Sequence, residues 1–147
     1  MKKIKYYPFN NSVETWLRIL ILLNKSYPNH LDINKILYLD FLNVHYWDEN
    51  NNIIPIHPKM KDVKWELIVR KLIIDKGLIL LINKWLVEKK FKGEWIFYQI
   101  SDIWSPFIDS LDSKYSNKLN VNAEFINKYF WNKNISELKK TIDLMIS

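Results

Sequence analysis

Hydrophobic residues in this chain recur at helical spacing along most of its length and change period once, between residues 86 and 100. There Leu86-Val87-Glu88-Lys89-Lys90-Phe91 roughly alternates, Lys92-Gly93-Glu94 is turn-forming, and Trp95-Ile96-Phe97-Tyr98-Gln99-Ile100 is rich in β-branched and aromatic residues. Alternation puts successive side chains on opposite faces of an extended strand, so the segment predicts a hairpin with glycine at its tip. A short hairpin placed after helices in this order is how a winged helix-turn-helix closes. The predicted fold class is mainly α with a short β-hairpin, a winged-helix-like core followed by C-terminal helices.

The rest of the chain reads as helices and the loops between them. Ser12 is a candidate N-cap for a helix over about 12–24, with apolar Trp16, Leu17, Leu20, Ile21 and Leu23, and Tyr27-Pro28-Asn29 ends it. Asp32 caps a second helix over about 32–47, apolar from Ile33 to Trp47. The loop from Asp48 to Pro58 carries two prolines, and its apolar Ile53-Ile54-Pro55-Ile56 is expected against the body. A third helix over about 63–76 ends at Gly77 in a left-handed conformation, and a fourth over about 78–85 leads into the hairpin. C-terminal helices fill about 102–146: one begins near Asp102 with Trp104, Phe107, Ile108 and Leu111, one runs to Trp131, and a last one is capped by Ser136. No repeat, linker or composition shift divides residues 1–147, which read as one domain.

Composition narrows the function classes. Seven Trp, eight Tyr and seven Phe are many for 147 residues, which puts a partner-binding surface among the expectations. The net charge of +6 suggests nucleic acid, but Arg18 and Arg70 are the only arginines among 22 basic residues. Lysine-rich, asparagine-rich usage is the bias of an AT-rich genome, and arginine is the residue that reads phosphate and guanine best. With no cysteine, disulfides, thiolate metal sites and cysteine catalysis are excluded. The N-terminal residues lack the apolar core of a signal peptide, and the longest apolar runs, about 17–23 and 78–82, are too short to span a bilayer. A soluble, cytoplasmic protein is expected.

Catalytic patterns are absent. Two glycines cannot build a nucleophile elbow, a phosphate loop or a dinucleotide fingerprint. His30 belongs to a turn. His45 and Asp48 share a helix face at i, i+3, and read as a hydrogen-bonded structural pair before they read as metal ligands. His57, beside Pro58, is a loop anchor, and Asp109 and Asp112 read as solvated surface. Glu66 and Arg70 are one turn apart in the order that favours an ion pair, worth about 0.3–0.5 kcal/mol if exposed and more if buried. The chain is expected to be no enzyme, with no cofactor and no metal; His45, Asp48 and His57 would be the candidates otherwise. Lys84, Lys89, Lys90 and Lys92 surround the hairpin beside Phe91 and Trp95 and are candidate phosphate contacts. The helix before the hairpin, Leu78-Ile79-Leu80-Leu81-Ile82-Asn83-Lys84-Trp85, is too apolar to read base edges.

The ordered segments Pro8-Phe9-Asn10, Glu14 and Arg18, Leu31-Asp32, Leu37 with Leu39-Asp40-Phe41, and Val44-His45 with Asp48 carry a resemblance. His57-Pro58, Glu66-Leu67 with Val69-Arg70-Lys71, Gly77-Leu78 and Leu86-Val87 continue it. Over about two-thirds of its length the chain resembles the small middle component of bacterial three-component ABC-ATPase defence systems, also described as the Lamassu type. Val63-Lys64-Trp65 stands where the family pattern has Arg-Ser-Gly, which puts any contact made there in doubt. The resemblance implies a non-catalytic adaptor that links an SMC-like ABC ATPase, a dimer that senses DNA, to an effector nuclease, with DNA touched indirectly or non-specifically and no membrane partner. His57, Trp65, Glu66, Arg70, Trp85, Phe91 and Trp95 are the candidate partner contacts. The alternative is a stand-alone winged-helix DNA-binding regulator.

Overall fold

The fold was analysed in a computed structural model that describes residues 12–57, 62–102, 106 and 112–146. Helix α1 (Ser12–Ser26) runs through the middle of the body. Its Ile19, Ile21, Leu22 and Leu23 are wholly buried, because helices lie against it on several sides. Helix α2 (Ile33–His45) starts at Asp32, whose carboxylate accepts the Lys35 N–H at 2.7 Å, so the predicted N-cap is in place. It ends earlier than the sequence suggested: Tyr46 is already extended, and Trp47, placed by its spacing on the buried face, is 65% exposed.

The largest departure from the sequence reading is at Gly77. Helix α3 is a single run, Val63–Asn83, that passes through this glycine without a break. A Cβ there would lie 3.0 Å from Trp16 Cδ1 and 3.3 Å from Ile19 Cδ1. The missing side chain therefore lets α1 and α3 approach closely, and the helical cost of glycine, about 1 kcal/mol, is offset by that packing. The left-handed C-cap comes eight residues later. Trp85 has φ +64, the Trp85 N–H donates to the Ile82 carbonyl, and the Leu86 N–H donates to the Leu81 carbonyl, both at 3.0 Å. That pair of bonds is a Schellman motif with tryptophan where glycine usually stands.

Strands β1 (Val87–Lys92) and β2 (Trp95–Ile100) form the expected hairpin, antiparallel, with Lys92 opposite Trp95 and Val87 opposite Ile100. Gly93, at φ +62, takes the first place of the two-residue loop, where a II′ turn needs positive φ. The far edge of β2 gains one further rung. Leu31, between α1 and α2, exchanges backbone hydrogen bonds with Tyr98 at 3.0 and 2.8 Å.

Helix α4 (Lys114–Phe130) begins with a capping box between Ser113 and Ser116 and packs across α1 and α2. Its asparagines grip the ends of those helices. The Asn127 amide donates to the Lys25 carbonyl at 2.9 Å and accepts from Ser26 Oγ at 3.0 Å. Asn122 donates to the carbonyls of Asn43 and Ile54 at 3.3 and 3.2 Å. Helix α5 (Ile135–Ile146) rests on α2. Its cap is Asn134, not Ser136: Asn134 Oδ1 accepts the Glu137 N–H at 2.9 Å, and Glu137 returns a bond to the Asn134 N–H at 3.2 Å.

In the 48–57 loop, Ile53 is buried while Ile54 is 61% exposed, so only part of that apolar segment lies against the body. Among the described residues no helix is long and apolar enough to cross a membrane. The Ser12 side chain, Pro8-Phe9-Asn10, Pro58, Trp104, Phe107, Ile108, Asp109 and Leu111 lie outside the described residues.

Candidate functional site

The residues singled out from the sequence divide into an internal set and an external set. The internal set is an ion network across three helices. Arg18 Nε donates to Asp40 Oδ1 at 2.9 Å, and Arg70 Nη1 donates to Asp40 Oδ2 at 2.7 Å, so one carboxylate on α2 joins an arginine on α1 to an arginine on α3. Arg70 Nη2 also donates to Glu66 Oε1 at 2.9 Å, and His45 Nε2 lies 2.6 Å from the same oxygen. Arg18, Asp40, Glu66 and Arg70 are each at most 1% exposed. Glu66 and Arg70, expected as partner contacts, therefore hold the chain's own helices in register. The expected His45–Asp48 pair is not made. His45 turns to Glu66, while Asp48 accepts from Asn51 and starts the short 3-10 turn Glu49–Asn51.

Burial sets the electrostatics of this network. Burial alone would raise the Asp40 carboxyl, but Arg18 and Arg70 outweigh it and hold Asp40 below the usual carboxylate range. Burial likewise works against Glu66, and the bonds from His45 and Arg70 bring it below its ordinary value. His57, another expected partner contact, is 6% exposed and lies 3.3 Å from the Tyr115 hydroxyl. Burial, reinforced by the charges of Arg18 and Arg70, pushes its imidazole down to about 3. It is neutral at physiological pH. A cleft of about 340 Å³ lies over His57 and Tyr115, bordered by Glu14, Lys114 and Lys118. Among the described residues no group of three or more His, Asp or Glu could hold a metal ion.

The external set begins at the end of α3. Trp85 is 83% exposed, Phe91 69% and Trp95 68%. Only the base of the hairpin is anchored, by buried Val87, Tyr98 and Ile100 and by Phe97 edge-on to His30 at 4.6 Å between ring centres. Beyond it both strands project into solvent. Because opposed residues share a face, the register separates the expected cluster into two. Phe91 and Ile96 share one face with Lys89, whose Nζ lies 5.4 Å from the Phe91 ring centre. Trp95 shares the other with Lys90 and Lys92. Lys84 is exposed as the residue before Trp85. Trp65 is also exposed, but near the start of α3, about 30 Å from Trp85 at 1.5 Å per helical residue.

Sequence reasoning missed Asp40 as the junction of the network. The signal was available: a lone acidic residue in an apolar helix, in a chain with two arginines. Trp85 in a left-handed turn had no such signal.

A family model described as ABC-three component (ABC-3C) system Middle Component 2 matches residues 8–147. No curated protein and no solved structure matches the chain.

Proposed function

Since this chain belongs to the ABC-3C Middle Component 2 family, we propose that it is a non-catalytic adaptor of a Lamassu-type bacterial defence complex, working in the cytoplasm. It would link an SMC-like ABC ATPase that senses DNA to an effector nuclease. The observation that carries this reading is Trp85, a bulky residue in the left-handed region with 83% of its surface in water. That conformation costs a non-glycine residue roughly 1–2 kcal/mol, and the exposed ring gains little from its own domain. Such an outlier points to function elsewhere, and a partner that covers the indole supplies one. The buried ionisable groups among the described residues fit an adaptor: a histidine at about 3 is no general base near neutral pH, and Asp40 and Glu66 are committed to arginine.

A second reading, a winged-helix DNA binder, is favoured by the Leu31 rung on the hairpin, since a single strand residue between the first two helices is where a winged helix has one. It is weakened by α3, the helix in the recognition position, which turns Trp65, Ile68, Leu72 and Ile79 outward rather than base-reading side chains. The hairpin lysines suit phosphate without sequence preference.

Co-expression with the other two components of the same system tests the proposal. The three should co-elute, and joint Trp85→Ala and Trp95→Ala should release one partner while the melting temperature holds. A wild-type chain that elutes apart from both would overturn it. Salt-dependent binding of the isolated chain to duplex DNA, abolished by Lys89→Glu, Lys90→Glu and Lys92→Glu together, would favour the second reading instead.

A further inference from the structure

Helix α3 carries apolar residues on both its inner and its outer side. Val63, Glu66, Arg70, Ile74, Gly77, Leu78 and Leu81 face inward. On the opposite side Trp65, Ile68, Leu72 and Ile79 are 58%, 55%, 60% and 56% exposed. With Asp75 and the half-buried Ile82, these outer positions are spaced three, four, three, four and three residues apart. That is the heptad spacing of a coiled-coil seam, about 26 Å long at 1.5 Å per residue. An apolar helix stripe with this period asks for a second helix.

Charge decides which helix. Lys64 and Lys71 lie along one side of the seam and Lys76 along the other, all exposed. A second copy paired in parallel would set Lys71 against Lys76, by the rule that each flank faces the opposite flank five residues on, and would stack Asp75 on Asp75 in the seam. An antiparallel copy centred on the seam brings each flank against the same flank of its partner, so the Lys76 flank meets its own copy and the Lys64 and Lys71 flank meets its own, and it places Asp75 over Leu72. Both self-pairings repel.

We propose that the outer face of α3 is the docking seam for an amphipathic helix of a partner protein, one with acidic residues at the positions that meet Lys64, Lys71 and Lys76 and a basic residue near Asp75. The proposal deepens the adaptor reading by naming a partner's chemistry, and it stands apart from the hairpin, so losing one leaves the other intact.

The probe is a fluorescein-labelled three-heptad peptide with a leucine seam, one central seam lysine and glutamate at the flanking positions, titrated with the full chain and followed by anisotropy. It should bind, and a lysine-flanked version of the same peptide should bind more than tenfold more weakly. Leu72→Asp should abolish binding with the melting temperature unchanged, since Leu72 is already exposed. Joint Lys64→Glu, Lys71→Glu and Lys76→Glu should reverse the preference between the peptides. No binding of the glutamate-flanked peptide, or binding that ignores Leu72→Asp and the charge reversal, overturns the proposal. So does a wild-type dimer that Leu72→Asp dissociates, because the occupant is then a second copy.

Discussion

The ion network at the centre of the helical body and the aromatic residues at its outer rim both depart from the usual placement of side chains. At the centre two arginines, Asp40 and Glu66 are sealed from water, while at the rim Trp65, Trp85, Phe91 and Trp95 stand in it. Buried charges are costly unless paired, and here each is paired across or along α1, α2 and α3. Exposed aromatic groups add little to the fold they sit on. The centre thus fixes the positions of the helices, and the rim is where the proposed partner contacts lie.

The harshest way to break the centre is to remove its junction. Asp40→Asn leaves Arg18 and Arg70 buried without their shared carboxylate and is expected to cost about 3–5 kcal/mol, read as a large drop in urea midpoint. Next, Gly77→Leu forces α1 and α3 apart at Trp16 and should cost about 1–3 kcal/mol by overpacking, measured by thermal melting. Acidification gives a graded effect. His57 titrates near its ordinary value of 6.5 when unfolded and at about 3 when folded, so the unfolded chain binds the extra proton between those values. Its contribution is complete above 6.5 and is lost as pH falls, at up to roughly 1.4 kcal/mol per unit. Asp40 and Glu66, held below their ordinary values, add to the loss in the acid range as the unfolded carboxylates take up protons. His57→Gln should flatten the fall in urea midpoint between pH 6.5 and 5, and an unchanged slope would count against a buried neutral imidazole.

The smallest effect has the opposite sign and sharpens the contrast most. Trp85→Gly relieves the left-handed strain but loosens the unfolded chain, for a net gain of less than about 1 kcal/mol. The melting temperature should rise slightly while retention of a partner falls. A centre residue would lose both together.

Sequence periodicity reached the rim more easily than the centre. The change of period at Leu86, the Gly93 turn and the Asp32 cap depend on neighbours within a few residues, and the hairpin and α2 start where they predict. Gly77 was legible as a special position but not as a contact, because Trp16 and Ile19 meet it from another helix. The Glu66–Arg70 spacing was visible, yet its burial depends on Asp40 arriving from 30 residues earlier. The sequence suggests Ser136, a good capping residue, as the cap of the last helix, when it is Asn134 two residues earlier, which only the backbone bond from Glu137 reveals.

The asparagine grips of α4 bear on how the chain is made. Asn127 fastens the end of α1 across 102 residues, and Asn122 reaches back 79 to Asn43. Contacts of that span close late and slow the search for the native state. During synthesis the apolar sides of α1 and α2 therefore wait uncovered until residues 114–130 have left the ribosome. The body of this middle component is expected to fold only once residues 114–130 are available, and a truncation before Lys114 should yield an aggregating chain in place of a smaller folded one.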